Sequence, residues 1–186
     1  MSNLTTIETK LADLQLFQTV LIEVEQDLKS ATGDDTIEER LEKMIQQDLD
    51  NLSDIRDAVA KLGKDAEARD MTKAHAQKVK QMIDGSELTL FDKFTELELL
   101  KHQQTMTGLV LHKAAQSVSD ELQSTMEPLN KVNFENRAHQ EILKGILYFV
   151  GTRELAGKEP DMGLWASVEQ GIAALKGAAS SATSSS

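Results

Sequence analysis

The stretch LTTIETKLADLQLFQTVLIEVEQDLKS, residues 4–30, decides the fold. Leu4, Ile7, Leu11, Leu14, Leu21 and Leu28 recur at spacings of three and four. On a helix of 3.6 residues per turn that repeat draws one apolar stripe. Two members of the stripe are polar, Gln18 and Glu25. The spacing predicts a first helix over about residues 5–30, closed by Ala31, Thr32 and Gly33.

The same period continues downstream. Thr36 and Glu39 read as a capping box for a second helix. Its stripe is Ile37, Leu41, Met44, Asp48, Leu52, Ile55, Val59 and Leu62, with Gly63 as its stop. A third helix is expected over 67–84, with Met71, His75, Val79 and Met82 inward. Gly85 would end it and Ser86 would cap the next. A long helix over 87–116 then presents Phe91, Thr95, Glu98, His102, Thr105, Leu109, His112 and Gln116. Ser119 opens a short helix that stops near Pro128. Asn133 is expected to cap a helix running to 154, with Glu135, His139, Ile142, Ile146 and Phe149 inward. A last helix opens at Pro160 and turns Trp165, Val168, Ile172 and Leu175 inward.

Good helix formers dominate and alternating β-branched patterns are missing. The expected architecture is therefore all-α: a four-helix-bundle core with additional shorter helices, in a single domain over 1–178. The Ser/Ala-rich tail 179–186 has too little apolar matter to pack and is expected to be disordered.

Composition narrows function. The chain has no cysteine, which removes disulfides, iron–sulfur ligation and thiol chemistry. Its formal net charge is −11. A surface of that sign repels phosphate backbones and anionic lipid, so neither nucleic acid nor membrane is an expected partner. Lys73, Lys78 and Lys80 are the densest cationic cluster and read as a solvated helix face. The N-terminus is polar, without the pattern of a secretory signal, so the cytoplasm is the expected location.

The informative residues are polar ones on apolar stripes, because an isolated buried carboxylate costs several kcal/mol unless it is paired, neutralised or metal-bound. Asp48, Glu98, Glu135 and Glu25 are such carboxylates. All four histidines, His75, His102, His112 and His139, fall on or beside a stripe. Glu98 with His102, and Glu135 with His139, share the pattern E-x-x-x-H-Q, which puts one oxygen and one nitrogen donor on the same helix face. Facing helices can assemble iron, manganese or zinc sites from such donors. On that basis the candidate metal ligands are His112, His139, Glu135, His102, Glu98 and Asp48. The competing reading is structural: Glu135 at the positive end of its helix dipole, Glu98 at a wet rim, Asp48 hydrogen-bonded to a histidine. Met44, Met71, Met82 and Met106 read as core fillers. Gly108 and Gly145 lie inside helices and suggest close helix approach. No nucleophile–base pair, phosphate loop or nucleotide fingerprint is present, so no reaction is assigned.

The segments MIQQDLDNL (44–52), ELLKHQQTMTGLVLHKAAQ (98–116) and VNFENRAHQEILKGILYFVGTREL (132–155) resemble a group of cyanobacterial proteins described as hemerythrin-like, HHE cation-binding or ferritin-like. The resemblance spans about 35–175. It implies a helical bundle with a non-haem metal site. The Glu-x-x-His signature of ferritin-like sites and the His-x-x-x-Glu and His-x-x-x-His pairs of hemerythrins are absent. The expectation is a bundle holding non-haem iron, or manganese or zinc, in metal handling or oxidative-stress response. The alternative is a metal-free scaffold that binds a protein partner or a second copy of itself.

Overall fold

The computed structural model describes residues 3–62 and 66–183, with side chains from 4 to 177. Among the described residues there are seven helices and no strand: α1 (Asn3–Thr32), α2 (Asp35–Leu62), α3 (Asp70–Asp84), α4 (Leu90–Gln116), α5 (Asp120–Met126), α6 (Leu129–Ala156) and α7 (Gly163–Thr183). Helices α1, α2, α4 and α6 form the four-helix core. In it α1 lies against α2 and α4, and α6 against those same two helices. Helix α3 covers the α1–α4 side, α5 leans on α4 and α2, and α7 packs on α6.

The first two helices follow the expected phase. Leu11, Leu14, Gln18, Leu21, Glu25 and Leu28 are buried along α1, and Ile37, Leu41, Met44, Asp48, Leu52 and Ile55 along α2. The start of α2 differs by two residues. Asp34 caps it, its Oδ1 accepting from Thr36 N at 3.1 Å and Ile37 N at 3.2 Å. An aspartate at that position satisfies orphan donors of the first turn and suits the helix dipole, so Thr36 is left inside the helix. The expected stop at Gly63 lies outside the described residues.

Helix α4 departs further. Its cap is Thr89, in a capping box with Asp92, rather than Ser86. Its buried line is Phe94, Leu97, Lys101, Gln104, Gly108, Leu111 and Ala115. The expected line 98, 102, 105, 109, 112, 116 runs one residue later from Leu97 onward, and of its members only Thr105 is buried. One residue is a rotation of about 100° on a helix, enough to carry a side chain from core to rim. Helix α3 is offset the other way: Val79 is buried as expected, but Thr72, Ala76 and Ile83 are buried beside it and Met71 and His75 are exposed. Helix α6 begins at Leu129, not near 133, so Asn133 is a buried interior residue and Glu135 has left the dipole's end. It ends at Gly157, whose φ of 61° is open to glycine without strain. Helix α7 is described as far as Thr183, five residues into the expected tail; 184–186 lie outside the described residues.

Two interior glycines do what their positions suggested. A Cβ at Gly108 would fall 1.9 Å from Asn133 Oδ1, so α4 and α6 touch there through a side-chain amide. A Cβ at Gly145 would fall 2.6 Å from Val168 and 2.8 Å from Trp165, which is how α7 comes flush against α6. Arg40 stacks on that indole, 3.9 Å from the ring centroid.

Candidate functional site

Midway along the bundle the apolar core gives way to a polar layer built from all four core helices. Its centre is Asp48, wholly buried on α2. Asp48 Oδ1 accepts from Gln18 Nε2 on α1 at 2.8 Å and from Asn51 Nδ2 at 3.2 Å. Asp48 Oδ2 accepts from the Lys101 ammonium on α4 and faces His139 Nδ1 on α6 at 3.4 Å. Lys101 Nζ also lies 3.0 Å from Glu25 Oε1 on α1. Gln104 ties the layer together, donating to Gln18 Oε1 and to Leu14 O, both at 3.0 Å. His139 Nε2 lies 2.8 Å from Gln47 Oε1.

The electrostatics of this layer close on themselves. Burial by itself would push Asp48 up, but the Lys101 ammonium and His139 reverse that and hold its carboxyl well below the usual range. Burial pushes Glu25 well above the usual range, the Asp48 charge adding to it and Lys101 opposing. Burial would lower Lys101; Asp48 and Glu25 outweigh it and keep the ammonium charged. Burial also pulls His139 down, against the attraction of Asp48. The layer thus favours one anion, Asp48, beside one cation, Lys101, with Glu25 protonated and His139 neutral. A net charge of zero is what an enclosed ionic group requires.

Lys101 is the residue that reading the sequence missed. A lysine in a helix ordinarily reads as solvated, yet two seam carboxylates called for a cation. Lys101 is in step with Leu97, Gln104, Gly108 and Leu111, and that register is the available signal.

The six candidate ligands do not converge. Asp48 and His139 meet, but with the Lys101 ammonium in the position that a bound cation would take. Glu135 is half-buried near Asn51, its carboxyl raised by burial. Glu98 and His102 lie at the rim of α4 that faces Gln140 of α6, and His112 lies 3.3 Å from Glu127 at the α5 end. Among the described residues no group of three or more histidines, aspartates or glutamates could hold a metal ion. The donor set does not fit the expected iron, manganese or zinc centre, because the register of α4 puts the Lys101 ammonium in the core and leaves Glu98, His102 and His112 outside it.

Glu98 and His102 instead line a groove between α4 and α6, a cavity of about 590 Å³ open to solvent. Its floor is apolar, from Met106, Leu109, Leu147 and Leu175. Arg137, Lys144 and Tyr148 stand along its α6 wall. Gln140 Nε2 donates across the groove to Glu98 Oε1 at 3.1 Å and to His102 Nδ1 at 3.0 Å. A carboxylate only accepts, so Glu98 fixes which end of the Gln140 amide is the nitrogen. That nitrogen donates to Nδ1, which places the proton of the neutral His102 ring on Nε2. Among the described residues Nε2 has no partner, and it is the ring's free donor.

Over 176 residues, 95% of its length, the chain is 43% identical to a curated protein of Nostoc sp.. That relative is a DNA nickase. The chain spans about half of the relative's length. No family model and no solved structure matches the chain. The similarity overturns two expectations. Metal handling or oxidative-stress response, with the metal-free scaffold as its alternative, gives way to a relative named for its action on DNA. The exclusion of nucleic acid fails with it. That exclusion rested on a net charge, which is a sum over the whole chain and does not describe the field of one groove. Among the described residues no helix is long and apolar enough to cross a membrane.

Proposed function

We propose that this chain acts on DNA as part of a protein that cuts one strand of a duplex. The observation that carries the reading is the 43% identity to a DNA nickase along 95% of the chain. A match of that length takes in nearly all of the bundle, so it is not a short shared motif. The polar layer around Asp48 is enclosed on every side and cannot reach a phosphodiester. Its part is to hold α1, α2, α4 and α6 in register. Contact with DNA falls to the surface those helices present.

The test is direct. Purified chain is incubated with supercoiled plasmid, with and without added magnesium or manganese, and the products are separated on an agarose gel. In parallel, binding to a labelled duplex is followed by fluorescence anisotropy. Conversion of supercoiled to open-circular plasmid, or saturable DNA binding, is the expected result. A chain that neither nicks nor binds overturns the reading.

A further inference from the structure

We propose that the groove between α4 and α6 is where a DNA strand lies, its phosphates held by Arg137, Lys144 and the Nε2–H of His102, with the Tyr148 ring under a base. The inference rests on the reading that the chain acts on DNA, and it assigns that action to a place.

Three observations converge on the groove. The first is its donors. Arg137 and Lys144 are both exposed on one face of α6, seven residues apart, a separation of roughly 10 Å along the helix axis. Arg137 has no acidic partner among the described residues, and Lys144 keeps only a 3.8 Å contact with Glu141. The Glu141 carboxyl itself rests against Gly171 of α7. By contrast two of the three lysines of the α3 cluster are occupied: Lys73 is bound to Glu67 and Lys80 to Glu23.

The second observation is the set of His102. Glu98 and Gln140 are positioning residues. Their hydrogen bonds hold one ring tautomer and leave a donor N–H free at the cavity. A neutral N–H donor suits a phosphate oxygen and is of no use to a metal cation. The third is the apolar component. Tyr148 is 55% exposed and Met106 47%, and both line the groove. Aromatic surface beside cationic side chains is the pairing that holds nucleic-acid strands, since every base has a face to stack and every linkage a charge.

The experiment uses the full chain and two labelled probes, a single-stranded oligodeoxythymidine and a mixed-sequence duplex, by fluorescence anisotropy across a salt series. The variants are Arg137→Ala/Lys144→Ala and, separately, His102→Phe. The control is Arg56→Ala/Lys61→Ala, which removes the same charge from exposed positions of α2. The groove pair should weaken binding about tenfold or more and reduce the salt slope by roughly two. The control should retain the wild-type slope. Preference for the single strand or for the duplex tells which form enters the groove. Wild-type binding that the groove variants leave unchanged overturns this inference and leaves the action on DNA standing. A wild-type chain that does not bind either probe overturns both. Nitrogen NMR of His102 reads the positioning: the wild type should show mainly the Nε2–H tautomer and Gln140→Leu a mixture. A dominant Nδ1–H form in the wild type removes His102 from the site.

Discussion

The Lys101 ammonium lies 3.0 Å from Glu25 Oε1, with both side chains fully enclosed by the bundle. The same ammonium is bound to Asp48, so one cation sits between two carboxylates from two different helices. A symmetrical sharing would leave the core with an excess negative charge. The two carboxyls are pushed apart: burial drives Glu25 well above its ordinary range, whereas Lys101 and His139 overcome burial and hold Asp48 well below.

Removing the cation should therefore be costly. Lys101→Met is close in volume but leaves Asp48 buried without its partner, and breaking a buried pair in this way costs about 3–5 kcal/mol. Urea denaturation read by circular dichroism measures it. Lys101→Met/Asp48→Asn should lose less than the sum of the two single variants, because the second change removes the charge the first has stranded. Additive losses would mean that the two groups do not interact.

The two carboxylates should respond in opposite ways to amidation. Asp48→Asn removes the anion that answers Lys101 and should be strongly destabilising. Glu25→Gln imitates a carboxyl already protonated and should cost under about 1 kcal/mol near neutral pH. The pH dependence follows from the direction of each shift. The folded chain raises Glu25 above its unfolded value of about 4.3, so it binds this proton more tightly than the unfolded chain does. Stability from Glu25 is complete below that value and is lost as pH rises toward the folded one. The stability of Glu25→Gln relative to wild type should therefore improve as pH rises from about 4 upward. For Asp48 the sign is reversed: its contribution is present above about 3.9 and is lost as pH falls through its depressed folded value. Denaturation curves for wild type and Glu25→Gln at several pH values check it; a Glu25→Gln deficit that widens with rising pH sinks the assignment of the proton to Glu25.

Gly108→Ala tests the contact between α4 and α6. In a free helix the change would favour folding by about 1 kcal/mol. Here the new methyl meets Asn133 Oδ1, and overpacking in a filled interior costs about 1–3 kcal/mol. The clash should win, lowering the thermal midpoint, and Gly108→Ala/Asn133→Ala should recover part of the loss. A stabilised Gly108→Ala would show that the Asn133 side chain turns aside freely.

Much of the fold was legible because α1 and α2 carry long leucine and isoleucine periods. The three polar members of those stripes, Gln18, Glu25 and Asp48, sit where the stripe put them. Helix α4 was not legible to within one residue. Four of its core positions are Lys101, Gln104, Thr105 and Gly108, which hide the apolar period, while Leu109 and Val110 on the outer faces supply a false one. That slip moved Glu98, His102 and His112 out of the core and hid Lys101 within it. Likewise Asn133 was read as a cap because asparagine favours helix starts, and it became a buried interior residue once tertiary packing carried α6 back to Leu129.

The amino-acid order alone determined an all-helical chain, the phase of α1 and α2, and the presence of seam carboxylates that needed an answer. Only the tertiary structure decided what answered them. Local periodicity is a property of one helix, whereas the partner of a buried charge comes from another helix whose rotation is set by packing. That is why Asp48 found an ammonium in place of a metal ion, and why Glu98 and His102 came to line a groove.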